Sequence, residues 1–225
     1  MENKIEQART KELYTLEHTI AAALLEESEY PWEILPRIGD FIRELGKTLR
    51  PEEFDHPQED VWIARDVRLY PNHYIAGPCI IDREAEIRPG AFIRGNAIVG
   101  KKAVVGNSTE LKNAILFDGV QVPHFNYVGD SVLGWKAHLG AGAVTSNVKS
   151  DKLPVVIKGE EAQIPTGRKK VGAMVGDEVE VGCNSVLCPG TVIGKNAMVY
   201  PLSRVRGLVP AGHIYKSAGN IVEKR

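Results

Sequence analysis

An aliphatic residue recurs at every sixth position in the first half of the chain, and the same spacing returns later. The first run comprises Ile63, Leu69, Ile75, Ile81, Ile87, Ile93, Val99, Val105 and Leu111. The second comprises Leu133, Leu139, Val175, Val181, Leu187, Ile193, Val199 and Val205. A period of six matches neither the helical repeat nor the alternation of a half-buried strand. The pattern predicts a mainly β solenoid from about Val61 to about Val209, in which every repeating aliphatic is buried.

The first 50 residues lack this repeat and are predicted to be helical. One apolar face at helical spacing predicts a helix from about Ile5 to Leu25, formed by Leu13, Leu16, Ile20 and Leu24. A second helix is predicted to begin near Pro36, to turn Ile38, Phe41, Ile42 and Leu45 inward, and to end at Gly46.

Three segments are therefore expected. Residues 1–50 form a helical cap or arm that covers the open edge of the first coil, which would otherwise pair with another chain. The alternative for this segment is a fragment of a lost or separately encoded domain. Residues 51–209 form the β-helix, with a protruding loop at about 147–170, and residues 210–225 form a C-terminal tail.

Length, charge and cysteine content limit the classes of function. A chain of 225 residues allows one main domain with an appendage. The balance of 28 basic and 29 acidic residues argues against a nucleic-acid or membrane partner. Cys79, Cys183 and Cys188 form no C-x-x-C pair that would indicate zinc. Without an apolar leader or a run of about 18 apolar residues, the chain is expected to be soluble and cytoplasmic.

Two interruptions of the repeat are candidate functional segments. Between Leu111 and Leu133, two of the spacings between successive hydrophobic residues are five residues instead of six. These two shorter spacings lie on either side of a segment that contains His124 and Tyr127. The loop carries six basic residues between Val148 and Lys170 against three acidic ones, which suits a phosphate-bearing ligand. The alternative for this loop is an ordinary solvated surface.

From Arg88 to about Pro201 the chain resembles a known family. The supporting motifs are IRPG at 87–90, ELK at 110–112, VPHFNYVGDSV at 122–132, LGAGAVTSN at 139–147, GRKKVGAMVG at 167–176 and PGTVIG at 189–194. They resemble the acetyltransferase domain of bifunctional N-acetylglucosamine-1-phosphate uridylyltransferase/glucosamine-1-phosphate acetyltransferases, and archaeal-type sugar-1-phosphate nucleotidylyltransferases look closest. The resemblance implies a left-handed parallel β-helix that forms a homotrimer with sites between subunits. It also implies transfer of an acetyl group from acetyl-CoA to an amino-sugar 1-phosphate in UDP-N-acetylglucosamine synthesis.

The resemblance also implies roles for individual residues. His124 would be the catalytic base, a task for which imidazole is suited near neutral pH. Substrate contacts would come from Arg88, Lys112, Tyr127 and His138, together with either Lys149 or Lys152 in the loop. His138 stands where the family usually has asparagine, so it is either a changed specificity contact or a lost one.

Contacts to coenzyme A are implied at three positions. They are the backbone of Ala141, the side chain of Asn147, and Cys183, where the family has serine. A donor for the tetrahedral intermediate would be a backbone N–H of residues 140–142 or the Asn147 amide. Tyr200 and Pro201 replace small residues near the expected thioester site.

Other readings of the sequence remain open. The chain contains no G-x-G-T-R-like phosphate-binding start, so the nucleotidyltransferase domain is expected to be absent and uridylyltransferase activity is not expected. Metal-dependent hydration of carbon dioxide on the same scaffold uses an H-x-x-x-x-H pair, whereas His124 and His138 are fourteen residues apart, so no metal is predicted. A non-catalytic module that binds a phosphosugar or nucleotide sugar is the third possibility.

Overall fold

A computed structural model describes residues 5–159 and 162–224 and consists mainly of a three-sided parallel β-helix. Ile63 pairs with Ile81, and Ile81 pairs with Val99. One coil therefore takes eighteen residues, or three six-residue units, and neighbouring coils lie about 4.8 Å apart. The predicted fold class, a parallel β-helix of hexapeptide repeats, is confirmed.

Each side of the β-helix is a ladder of short parallel strands. The first face contains Val61–Ala64, Cys79–Ile81, Ala97–Val99, Ala173–Val175, Thr191–Ile193 and Leu208–Val209. The second face contains Arg68–Leu69, Glu86–Ile87, Val104–Asn107, Gln121–His124, His138–Leu139, Glu180–Val181, Met198–Val199 and His213–Ser217. The third face contains Tyr74–Ile75, Phe92–Ile93, Val144–Thr145, Val186–Leu187 and Arg204–Val205. Two longer strands, Glu110–Leu116 and Tyr127–Leu133, turn the corner from the third face to the first.

The five-residue steps of the sequence lie at this same corner in consecutive coils. Leu116 pairs with Leu133, so the coil between them has seventeen residues instead of eighteen. Asn113 and Asp130 make the tighter turn with positive φ angles of 51° and 48°, a conformation that asparagine and aspartate tolerate better than most residues. The shortened corner also precedes the point where the protruding loop leaves the next coil.

Most of the repeating aliphatic residues are buried as predicted, but Leu69 and Ile75 are exceptions. Leu69 is 41% exposed and Ile75 is half-buried. Both belong to the first coil, whose second-face and third-face strands pair on one side only within the described chain. The sequence repeat identifies which residues point inward but cannot show that an end coil lacks a neighbour to bury them.

The predicted continuous helix over residues 5–25 is wrong. The structure has short helical turns at Glu6–Ala8, Thr10–Leu13, Leu16–His18, Ala22–Glu26 and Pro31–Ile34. Extended residues separate them because the backbone bonds to the β-helix: Thr15 N–H donates to Asp177 Oδ2 over 2.8 Å. Such tertiary contacts outweigh intrinsic helix propensity. The second helix, Ile38–Gly46, is confirmed, and Gly46 lies against the indole of Trp62.

The N-terminal segment packs against the side of the β-helix, and its Gly46 contacts Trp62 of the first coil. Asp177 N–H donates to the Leu13 carbonyl, and Asp118 N–H donates to the His18 carbonyl, so the segment runs along the side of the β-helix from a late coil towards an early one. Its buried side chains belong to the same hydrophobic core as the coils. The first-face edge is covered by Phe54–Gln58, which pairs antiparallel with Val61–Ala64.

The loop and the C-terminus both contain strands. In the loop, Val156–Lys158 and Gln163–Pro165 form an antiparallel hairpin, and Val155 and Ile157 are buried. The stack of coils continues beyond the predicted boundary at 209, because His213–Ser217 extends the second face and pairs with Asn220–Glu223. Residues 213–223 are therefore part of the sheet and not an irregular tail. No helix in the described ranges is long and apolar enough to cross a membrane.

Candidate active site

Three of the predicted site residues stack in consecutive coils at the corner between the second and third faces. Gly142 N–H donates to the His124 carbonyl over 3.0 Å, and Asn184 N–H donates to the Ala141 carbonyl over 2.8 Å. These bonds place His124, Ala141 and Cys183 one above another on a single edge of the β-helix. Together with Arg88, they are called the histidine edge below.

The backbone around His124 is held by a buried amide. His124 N–H donates to Asn126 Oδ1, and Asn126 Nδ2 donates to the carbonyls of Gly140 and Ala143 over 2.9 and 3.0 Å. Asn126 is 2% exposed, whereas the His124 side chain is exposed and has no hydrogen-bond partner among the described residues. Asn126 was not predicted as a site residue. It lies two residues before the aliphatic Val128, at a position where most coils have a small residue, and this departure from the pattern was a usable signal.

Arg88 lies on the same edge but two coils away from His124. Arg88 N–H donates to the Val105 carbonyl, and the coil of Val105 precedes that of His124. The axial separation is therefore about 10 Å. The Arg88 guanidinium binds Glu86 with an Nε–Oε1 distance of 2.8 Å. The structure aligns Arg88 with His124 without bringing the two side chains into contact.

A second group of predicted residues surrounds Asp130 at the corner between the third and first faces. Asp130, only 4% exposed, accepts from Lys112 Nζ at 3.2 Å, Asn113 Nδ2 at 2.9 Å and Asn147 Nδ2 at 2.5 Å. Asn147 Nδ2 also donates to the Tyr127 hydroxyl over 3.2 Å. Burial, followed by the Asp130 carboxylate, raises the pKa of Tyr127. This group, Lys112, Asn113, Tyr127, Asp130 and Asn147, is called the Asp130 corner.

The basic end of the loop returns to the β-helix beside the Asp130 corner. Residues 168–170, all basic, line a cleft of about 360 Å³ together with Asn113, Asp130, Leu35 and Pro36. The sequence predicted a basic loop that includes these residues but did not predict where in the fold they lie. Their position directly before the coil resumes at Val171 was the signal that they lie at the corner.

The two loop lysines proposed as substrate contacts lie elsewhere. Lys149 pairs with Asp151 at 3.1 Å and lines a separate cavity of about 230 Å³ with Lys158 and Arg206. Lys152 is exposed in the turn that follows. The structure therefore does not bring either lysine into the Asp130 corner of its own chain.

His138 lies outside both groups. It is on the second face, three residues before Ala141, and its Nδ1 is 2.7 Å from Glu180 Oε2. Such solvent-accessible pairs contribute little to stability, typically about 0–1 kcal/mol. Among the described residues, no group of three or more His, Cys, Asp or Glu side chains is arranged to hold a metal ion.

Seven of the ten predicted site residues thus lie at two edges of the third face: Arg88, His124, Ala141 and Cys183 at one edge, and Lys112, Tyr127 and Asn147 at the other. Three outward-pointing residues of that face are apolar and exposed, Tyr74 at 57%, Phe92 at 40% and Val186 at 37%, whereas Glu110 and Arg204 in the same column are charged. The rings of Tyr74 and Phe92 are in contact, with their centroids 5.3 Å apart. An exposed strip that carries these three apolar side chains between two groups of polar residues is characteristic of an interaction surface.

Known proteins match this chain over the coils that carry both groups. A family model described as the GMPPB C-terminal domain matches residues 75–169. A bifunctional sugar-1-phosphate nucleotidylyltransferase/acetyltransferase of Sulfurisphaera tokodaii is 35% identical over 163 residues, 64% of this chain and 41% of that protein. The chain is a homologue of such bifunctional proteins. Two bifunctional GlmU proteins of Methanococcus maripaludis strains are 37% identical over 49% of this chain and 29% identical over 87% of it. The chain spans less than half the length of these relatives, at 27% to 48%.

Proposed function

We propose that the protein is an acetyl-CoA-dependent N-acetyltransferase that acts on an amino-sugar 1-phosphate, with glucosamine 1-phosphate as the acceptor. The observation that carries the proposal is the histidine edge, where an exposed imidazole begins a column that continues through Ala141 to Cys183. The names of the relatives, which include acetyltransferase, support the same reaction class. UDP-N-acetylglucosamine synthesis is the process in which this product would be used.

In the proposed reaction, His124 acts as a general base. Its imidazole removes a proton from the acceptor amine as that nitrogen attacks the thioester carbon of acetyl-CoA. The tetrahedral intermediate then collapses, the carbon–sulfur bond breaks, and the coenzyme A sulfur leaves and takes up a proton. The products are the N-acetyl sugar phosphate and free coenzyme A.

The backbone hydrogen bonds suggest which group stabilises the developing oxyanion. Gly140 N–H already donates to the Val181 carbonyl, and Gly142 N–H already donates to the His124 carbonyl. The N–H of Ala141 lies between these two, one coil from His124, and is our choice for the donor. The Asn147 amide is a weaker candidate because it lies in the Asp130 corner and donates to Asp130 and Tyr127.

We further propose that the active site is completed by a neighbouring subunit in a homotrimer. The histidine edge of one subunit would face the Asp130 corner and residues 168–170 of the next, with the exposed strip of the third face buried at the seam. Fixed cations at that corner would then hold the sugar phosphate, since arginine and lysine bind phosphate by charge-assisted hydrogen bonds.

A direct assay tests the proposed reaction. Purified protein is incubated with acetyl-CoA and glucosamine 1-phosphate, and release of free thiol is followed. Wild type and His213→Ala, which alters a half-buried histidine remote from the histidine edge, should turn over equally. His124→Ala should lose about 100-fold or more, the usual contribution of a general base. Equal rates for His124→Ala and wild type would reject the mechanism, and binding without turnover would favour a non-catalytic phosphosugar-binding module.

A further inference from the structure

A basic cavity lies where the hairpin of the protruding loop packs against the later coils. It has a volume of about 230 Å³ and is called the hairpin cavity below. Its charged lining residues, among those that the structure describes, are all basic: Lys149, Lys158 and Arg206. Gln163 and Pro189 are also part of the lining. The chain as a whole has a formal charge of -1, so this local excess of positive charge marks a place that attracts anions.

Two glycines allow the hairpin to approach the coils closely. A Cβ atom on Gly190 would lie 2.7 Å from Val155 Cγ1, and one on Gly207 would lie 3.0 Å from the Lys158 carbonyl oxygen. Val155 is only 1% exposed, so the start of the hairpin is buried against the coils. Lys158 therefore belongs to a docked hairpin, and Arg206, the residue before Gly207, belongs to the coil on which it docks.

The protein neutralises only one of the three cations with a described side chain. Lys149 pairs with Asp151 at 3.1 Å. Lys158 and Arg206 are exposed and form no ion pair with another residue of the described ranges. Like charges around one space repel each other. A ligand with two negative charges would remove this repulsion and balance both cations.

The donor groups of the cavity match a phosphate group. Arginine presents a planar fork of N–H donors that binds two phosphate oxygens, and lysine adds a point charge with three donors. The amide of Gln163 can donate as well, without adding charge. A phosphate monoester carries close to two negative charges near neutral pH, whereas a carboxylate carries one and would leave a cation unbalanced. The volume is far larger than one water requires, so a phosphate group has room.

We propose that the hairpin cavity binds a phosphate group that carries two negative charges. Gly172 N–H donates to the Asp130 carbonyl, and Gly190 N–H donates to the Gly172 carbonyl. Gly190, which the hairpin contacts, is therefore two coils from Asp130, an axial distance of about 10 Å. The proposed site is separate from the Asp130 corner and the histidine edge, and it does not depend on acetyl transfer. Either a free phosphate ion or the 3′-phosphate of coenzyme A could supply the group.

Protection of Lys158 from amine labelling tests the proposal at the site itself. The full chain is acetylated with limiting sulfo-NHS-acetate at about pH 8, where phosphate is a dianion. The reaction is run in sodium phosphate and in sodium chloride of equal ionic strength, and labelled lysines are identified by peptide mass spectrometry. Phosphate should slow the labelling of Lys158, while Lys216, an exposed lysine of the last coil, should be labelled equally in both salts. Equal labelling of Lys158 in both salts, or equal protection of Lys216, would overturn the proposal.

Variants locate the bound phosphate. Arg206→Gln removes one of the two unbalanced charges, so half-protection of Lys158 should need about tenfold more phosphate, as expected for loss of a hydrogen bond to a charged group. Arg204→Gln removes the same charge from an exposed residue outside the cavity lining and should leave the protection unchanged. Equal weakening by these two variants would show that net charge alone attracts phosphate. Weakening by Lys169→Gln but not by Arg206→Gln would place the phosphate at the Asp130 corner, and either result would refute the proposal.

Two nucleotides distinguish the sources of the phosphate group. Adenosine 3′,5′-bisphosphate contains the 3′-phosphate of coenzyme A, and AMP lacks it. Protection of Lys158 by the bisphosphate at a concentration at least about tenfold lower than that of AMP or inorganic phosphate would identify the coenzyme as the source. Protection by inorganic phosphate at a concentration similar to that of both nucleotides would identify a free phosphate ion. Both outcomes support the hairpin cavity as a phosphate site, and both can be observed in a protein that transfers no acetyl group.

Discussion

At the scale of single residues, Asp130 shows how one side chain can serve both the fold and a ligand site. It fixes the shortened corner by accepting from Lys112, Asn113 and Asn147. The same bonds hold Lys112 and Asn147 in fixed positions. The family resemblance implies that Lys112 contacts the substrate and Asn147 contacts coenzyme A. Because Lys112 is already paired, it offers a ligand less free charge than an isolated lysine would. Residues 168–170 are basic and form no ion pair with another residue of the described ranges, so they are important for the proposed phosphate contact.

Cysteine reactivity gives a prediction at this scale. Cys183 is exposed on the histidine edge, whereas Cys79 and Cys188 are buried, and burial raises the pKa of Cys79 to about 12. The thiolate is the reactive form, so Cys79 should be inert in the folded protein. We expect one thiol to react rapidly with Ellman's reagent, and Cys183→Ser to abolish that reaction.

Coenzyme A should slow the labelling of Cys183 if its binding site follows the histidine edge. The matched measurement uses the same concentration of adenosine, which lacks the pantetheine arm. Labelling that proceeds at an unchanged rate under saturating acetyl-CoA would show that the cofactor does not pass over Cys183.

The buried Asp82 carboxyl predicts a pH dependence of stability. Burial raises its pKa above the ordinary value of 3.8, and Asp66 raises it further, while Arg83 and Lys101 partly offset the shift. Between the unfolded and folded pKa values, the folded state binds more protons, so this group's contribution to the free energy of unfolding falls as pH rises. Urea unfolding should show wild type losing stability relative to Asp82→Asn as pH increases from about 4. A difference between the two proteins that stays constant with pH would contradict this assignment.

At the scale of structural elements, the sequence repeat was sufficient to predict the coils but not the segments around them. Each six-residue unit is a local pattern, so Ile81 or Val99 can be assigned to the core without knowing its neighbours. The N-terminal turns depend on partners far along the chain, such as Asp177 for Thr15, which no local pattern contains. Likewise, the family resemblance selected His124 but could not show that Lys112 lies across the third face from it.

Close stacking of coils predicts a large effect at Gly106. A Cβ atom there would lie 1.7 Å from the carbonyl oxygen of Pro123, the residue before His124, in the next coil. Backbone cannot move as a flexible side chain can, so Gly106→Ala should separate the two coils. We expect a loss of about 4 kcal/mol or more in unfolding free energy, measured by urea denaturation.

Gly159→Ala is the matched control for Gly106→Ala. Its Cβ would lie 3.1 Å from the flexible Ile5 side chain, which can adjust, so we expect a change within about 1 kcal/mol. Similar losses of unfolding free energy in the two variants would mean that replacing any glycine has this effect. The close approach of the two coils beside His124 would then not be its cause.

At the scale of the whole molecule, the third face determines whether one chain can form the proposed site. Its strip includes Tyr74, Phe92 and Val186, all exposed in the single chain. If the strip is buried in a homotrimer, Phe92→Asp should place a charge in the seam and shift the protein to a smaller species in light scattering after size-exclusion chromatography. Leu153→Asp changes an apolar side chain of the loop that is 59% exposed, compared with 40% for Phe92, and should leave the size unchanged.

Mixing two inactive variants tests whether neighbouring subunits share one site. His124→Ala should inactivate the histidine edge, and Lys112→Ala should impair the Asp130 corner, yet each chain retains the group that the other lacks. In trimers refolded from an equal mixture, about one quarter of the seams should combine an intact histidine edge with an intact Asp130 corner. Acetyl transfer should therefore recover to about a quarter of the wild-type rate if the seams act independently. If both groups instead served a site within one chain, no mixed trimer would contain an intact site, and the mixture would remain as inactive as its parts.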